Sequence, residues 1–143
     1  MEHVIAIVAL VLTGPLVGVE LGVAAFTNPL AAKLTDDAYR VVRSGGSRLL
    51  GTLMPFWYIG TLVALIAGAV VSRDVPAIVA VAAMGVAILL TVTVLVPINN
   101  RIGAWRSEED VNRELASRWD RLHWVRVGLL VTMFVALAVG VVG

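Results

Sequence analysis

The distribution of charge constrains this chain more than any other feature. Almost every charged residue falls within Lys33–Arg48 or Arg101–Arg126, and long apolar blocks fill the rest. A hydrocarbon core is about 30 Å thick, and a helix rises about 1.5 Å per residue, so about 20 apolar residues cross it. Four blocks meet that length, near Val4–Thr27, Leu49–Val71, Ala77–Pro97 and Trp124–Val142. Only 15% of the 143 residues are charged, against about a quarter in a soluble domain. The pattern predicts an all-α, integral membrane four-helix bundle forming one domain over residues 1–143.

The apolar blocks carry internal features. Pro15 and Pro55 fall inside the first two spans, where neighbours must pair the carbonyls they free. Gly14, Gly18 and Gly22 suggest a small-residue ridge for close helix approach. The opening "MEHVIAIVALVLTGPLVG" has no Lys or Arg before its apolar run, which argues for a retained helix rather than a cleaved leader.

Two polar connections join the spans, and each predicts an amphipathic helix. In the first, Thr35 reads as an N-cap with Asp36 and Asp37 in the first turn, and Gly45–Gly46 reads as the stop. The string "SGGSR" has part of a phosphate loop but no P-loop lysine, and it reads as a turn. In the third connection Ser107 and Asp110 read as a capping pair. Glu109–Arg113 and Glu114–Arg118 are spaced as i,i+4 ion pairs, and one helix is expected from Glu108 to Val142. The connection Ser72–Pro76 is a tight turn. Lys and Arg concentrate in the first and third connections, with only Arg73 in the second. Positive residues stay inside, so the expected topology puts both long connections in the cytoplasm and both termini outside, in a cytoplasmic (inner) membrane.

That topology gathers polar residues at one end. Asn28 ends the first span, Asn99 and Asn100 end the third, and Trp119, His123 and Arg126 share one face of the fourth. Interfacial anchoring explains each singly, since Trp and Arg suit the headgroup level and Asn caps helix ends. Convergence of the set at one depth favours a site. Glu20 is the sharper signal. It lies about 12 Å along the axis from Asn28, and an acid at that depth is costly unless it faces inward and finds a partner. Arg126 is the expected partner. Thr13 and Thr27, seven residues either side of Glu20, suggest a polar stripe, and Tyr58 is too deep for an interfacial aromatic.

Net charge is +1, so no overall field invites nucleic acid. The absence of Cys excludes disulfides, thiolate metal sites and cysteine nucleophiles. His3 and His123 lie at opposite ends and no H-E-x-x-H spacing occurs, although Glu20, Asn28, Asn100 and His123 include metal-ligating types.

"NPL" after the first span, "VPINNRIGAW" after the third and "W-x3-H-x2-R" into the fourth resemble the anthrone-oxygenase-like family of small membrane proteins. The resemblance implies oxidation of anthrones to anthraquinones by dioxygen, with no flavin, haem or required metal. It also implies that Asn99, Asn100, Trp119, His123 and Arg126 are motif residues. Such a reaction needs a base, donors for an oxyanion and a dry, aromatic-lined pocket. Glu20 or His123 can supply the base, and Asn100 and Arg126 the oxyanion contacts. Asn28, Tyr58, Asn99 and Trp119 can hold a lipophilic small molecule. A non-catalytic reading stays open: a transporter subunit using Glu20 as its titrating group, or a lipid- or quinone-binding scaffold, either one as a homo-oligomer.

Overall fold

The computed structural model describes all residues from Met1 to Gly143. Four helices are long and apolar enough to cross a membrane: α1 (Glu2–Ala31), α2 (Asp36–Ser72), α3 (Val75–Gly103) and α4 (Arg113–Val142). They run up and down in a ring. Each packs on its sequence neighbours, α4 closes on α1, and the α3–α4 contact is the most extensive.

The exterior is the greasy part. Phe26, Phe56, Val11, Ile59, Val63, Leu89 and Val92 are all exposed, Phe56 to 76%. A water-facing surface of that kind would drive aggregation; facing lipid, it costs nothing. The interior holds the buried polar residues Thr13, Glu20, Asn28, Arg43, Ser44, Thr61, His123 and Arg126. Leu16, Leu65, Ala80, Met84, Leu130 and Met133 pack between that polar end and the end bearing the chain termini.

Gly45–Gly46 does not stop a helix. The α2 helix runs unbroken from Asp36 to Ser72, so "SGGSR" is helical and not a turn. Two glycines cost about 2 kcal/mol relative to alanine. Continuing the helix instead keeps both flanks in place, Arg43 on Asp120 before the glycines and the Ser47 carbonyl on Asn99 after them.

The expected helix from Glu108 is also corrected. Glu108–Asp110 forms a 3-10 turn, closed by a reciprocal capping box between Ser107 and Asp110. Val111 is extended, and α4 starts only at Arg113, where Asn112 accepts from the Leu115 N–H. Arg113 therefore does not pair with Glu109. It bonds Asp36 at 2.9 Å and the carbonyls of Ala32 and Leu34 beyond the end of α1. Glu114 and Arg118 form no ion pair either.

The small-residue ridge of α1 is not an interface. A Cβ at Gly14 would touch Phe134, but none at Gly18 or Gly22 would meet anything within 4 Å. The inward face is Ala9, Thr13, Leu16, Glu20 and Ala24, all buried. At the other end the α2–α3 turn is tight. Arg73 sits in the left-handed region (φ 56°), and Asp74 caps α3 by accepting from the Ala77 N–H at 2.7 Å.

Two features lay outside the sequence expectations. Both α1 and α3 contain a π-helical turn, at Val23–Thr27 and Thr91–Leu95. In each the proline of the "NP" or "VP" pair follows two residues beyond the turn. Proline has no N–H to give the carbonyl four residues back, which favours a widened turn there. A π turn adds one residue to the local count, rotating everything beyond it by about 100°. Asn28, eight residues after Glu20, thereby lands on Glu20's inward face. Asn99 lands likewise on the face of Thr91.

A buried acid–arginine site beneath an apolar cavity

Glu20 is 4% exposed and its carboxylate faces the bundle interior. Tyr58 of α2 donates its hydroxyl to Oε1 at 2.8 Å. Arg126 of α4 donates Nη2 to Oε2 at 3.0 Å, and its Nη1 reaches the Thr91 hydroxyl of α3 at 3.2 Å. All four helices thus meet on one carboxylate–guanidinium pair. An acid and a cation this deep offset each other's desolvation only when both are well hydrogen-bonded, as here.

His123 is fully buried behind the pair. Its Nε2 lies 2.9 Å from the Glu20 backbone carbonyl, which can only accept, so Nε2 carries the proton. Nδ1 is then the acceptor for Arg126 Nη2, at 2.9 Å. Both ring nitrogens are engaged. Trp119 stacks on the imidazole with centroids 4.7 Å apart and planes 19° apart. The guanidinium carbons of Arg43 and Arg126 lie 5.6 Å and 5.7 Å from the same indole centre.

A second ion pair lies nearer the polar end. Arg43 of α2 meets Asp120 of α4 at 2.9 Å, and Asn28 donates to the same carboxylate at 3.0 Å. Asn99 donates to the Ser47 carbonyl at 3.0 Å, tying α3 to α2. A Cβ at Gly51 would stand 3.2 Å from the Asn99 amide nitrogen, so glycine admits that contact.

These groups border a cavity of about 390 Å³. Its walls are mostly apolar: Val19 and Val23 of α1, Leu50, Met54 and Ile59 of α2, Ile88, Val92 and Leu95 of α3. Of the residues singled out from sequence, Glu20, Asn28, Tyr58, Asn99, Trp119 and Arg126 line it. His123 and Asn100 do not. His123 is walled off behind Arg126 and Trp119, and Asn100 is exposed on the outer face of α3, because the π turn brings its neighbour Asn99 inward. Thr27 borders the cavity, but the α1 turn moves it off Glu20's face, so the polar stripe with Thr13 is broken. No three His, Asp or Glu side chains converge anywhere as a metal cluster.

Sequence reasoning missed Arg43, Asp120 and Thr91. Arg43, Ser47, Met54 and Tyr58 follow helical spacing on one face, which would have revealed Arg43 had Gly45–Gly46 not been read as a stop.

Fold and site together define a membrane-spanning four-helix protein with a buried acid–arginine pair under a lipophilic cavity. The family model for anthrone oxygenase matches residues 39–136, and the chain belongs to that family. The match covers most of α2, all of α3 and most of α4. It leaves out α1 and with it Glu20 and Asn28. No curated protein and no solved structure shows a significant match.

Proposed function

We propose that this protein is a membrane-embedded oxygenase that converts a lipophilic aromatic carbon acid of the anthrone type to its quinone with dioxygen. One observation carries the reading: Glu20 sits at the cavity wall with Tyr58 and Arg126 already on its two oxygens. Oxidising a ring CH2 to C=O with one O2, and releasing one water, balances without an external reductant. The substrate gives up both hydrogens and all the electrons. The demanding step for the protein is loss of the first proton, which leaves an electron-rich carbanion with its charge delocalised onto the substrate's carbonyl oxygen.

In this mechanism Glu20 takes the proton. A carboxylate retains lone pairs after accepting two hydrogen bonds, whereas both nitrogens of His123 are committed. Arg126 and Tyr58 hold the carboxylate in place and, once it takes up the proton, their positive charge and hydroxyl are released to face the developing oxyanion. His123 acts through Arg126 as a positioning residue. Trp119 stacks on His123 and lies against both Arg43 and Arg126, so it too acts as a positioning residue. The carbanion then reacts with dioxygen to give a hydroperoxide, which loses water to form the quinone. The packed apolar layer from Leu16 to Met133 weighs against a transporter, which needs a polar path to the far side.

The test is oxygen uptake and quinone absorbance with 1,8-dihydroxyanthrone and purified protein in micelles, against empty micelles. Glu20→Gln should lower turnover by about 10²- to 10⁴-fold, the usual worth of a general base, at a temperature where tryptophan fluorescence shows it folded. Wild-type rates no higher than empty micelles would end the proposal.

A further inference from the structure

Arg43 is the cavity-lining guanidinium with donors to spare. Arg126 has both terminal nitrogens engaged within the protein and its Nε sealed off from the cavity. Arg43 is 6% exposed, and its only protein acceptor is Asp120, reached through Nη1. Its Nε and Nη2 find no acceptor in the protein and are not sealed off. Its guanidinium carbon lies over the rings of Tyr39 and Trp119, 5.7 Å and 5.6 Å from their centres. A guanidinium held rigidly with free donors at the edge of an apolar cavity is built to receive an anionic oxygen.

We infer that Arg43 is a specificity-determining residue that binds an acidic oxygen, carboxylate or phenolate, on the ligand whose apolar body fills the cavity. The inference rests on the cavity being the lipophile site proposed above and adds the substrate class: an aromatic acid rather than a neutral hydrocarbon ketone. The arrangement along the bundle fits an amphiphile. Arg43 lies at the polar end, while Met54 and Ile88 line the apolar part of the cavity further along the bundle. Asp120 holds the guanidinium in place and partly offsets its charge, which limits how strongly any anion is drawn there.

The experiment compares anthraquinone with anthraquinone-2-carboxylate, binding being read by quenching of tryptophan fluorescence in neutral micelles. The preference is the ratio of the two affinities within one protein, so partial loss of folded material cancels. Wild type should favour the carboxylate on the order of tenfold, as for a hydrogen-bonded charge pair. Arg43→Gln should bring the ratio close to one while neutral anthraquinone still binds. Arg43→Lys, which keeps the charge and loses the fork, should fall between. Asp120→Asn should raise the ratio, because it removes the competing carboxylate. A purely structural Arg43–Asp120 pair would lower unfolding temperature in both variants and leave the ratio alone, and that result overturns the inference. If neutral anthraquinone binds wild type without any preference for the acid, the inference fails while the lipophile site survives. If neither probe binds, both fail. Phosphatidylglycerol added against phosphatidylcholine separates two sources of the anionic oxygen. Loss of the preference with the anionic lipid alone assigns it to a lipid headgroup, and its persistence to a small-molecule acid.

Discussion

Removing half of the Glu20–Arg126 pair leaves an uncompensated charge inside the bundle. Such a break costs about 3–5 kcal/mol, so Glu20→Gln should lower stability by that amount. The double variant Glu20→Gln/Arg126→Gln should lose less than the two single losses combined, because neither charge is then stranded. Thermal unfolding in micelles closes this cycle; strict additivity would mean the two residues are not coupled. The adjacent asparagines give a second contrast. Asn99→Ala removes the bond to the Ser47 carbonyl, worth about 0.5–1.5 kcal/mol. Asn100→Ala, on the exposed face, should stay within about 0.5 kcal/mol of wild type. Equal effects from the two would contradict the rotation of α3. At this scale the sequence was informative about depth and poor about direction. Glu20 had to find a partner, and Arg126 was the one within reach. Nothing in "PINNRI" says which amide faces inward, because that depends on a widened turn a few residues earlier.

The π turns decide what the first and third helices present to the cavity. Deleting Ala25 should restore ordinary α-helical register in α1 and rotate Asn28 by about 100° off the inward face. The bond to Asp120 would be lost, and with it the tie that steadies Arg43. Far-UV circular dichroism should be unchanged while probe binding falls. Unchanged binding would show that the turn is dispensable. The segment before α4 makes a pH prediction. Backbone N–H groups of Arg106 and Ser107 donate to Asp110 and hold its carboxyl below the usual 3.8. A depressed folded pKa means the cap contributes fully above 3.8 and is lost as pH falls through the lower, folded value. The Arg106 and Ser107 amide resonances should therefore titrate with a midpoint under 3.8, and Asp110→Asn should abolish the transition. The elements themselves were legible because apolar length is a strong signal. Their junctions were not. Gly45–Gly46 follows local propensity for a stop, but Arg43 bonds Asp120 on one side of it and the Ser47 carbonyl accepts from Asn99 on the other, and those tertiary ties carry α2 through. Glu108–Asp110 shows the opposite error: good spacing for ion pairs, yet Arg113 is drawn away by Asp36 and by free carbonyls past the end of α1.

At the scale of the whole molecule, helix lengths relate the site to the membrane. The α2 helix would be about 55 Å long, well beyond a hydrocarbon core of about 30 Å. Its terminal end meets α3 in the tight turn at Arg73 and Asp74, so the excess projects from the other side, where Arg43 and Asp120 lie. On that geometry we expect the Arg43 pair at headgroup level and the Glu20–Arg126 pair within the apolar layer. A lipophile lying between them would have its acidic end near water and its reactive carbon near the base. Charge asymmetry gives the direction: Lys33, Arg40, Arg43, Arg48, Arg101, Arg106, Arg113, Arg118 and Arg121 crowd the polar side, and Arg73 stands alone on the other. We therefore expect the polar side to face the cytoplasm. The chain has no cysteine, so single-cysteine variants report cleanly. Asp37→Cys and Ser107→Cys, both at exposed positions, should react with an impermeant maleimide only after the cells are opened. Ser72→Cys, exposed at the other end, should react in intact cells. The reverse pattern would put the Arg43 edge of the cavity outside the cell, and an acidic ligand would then have to arrive from there.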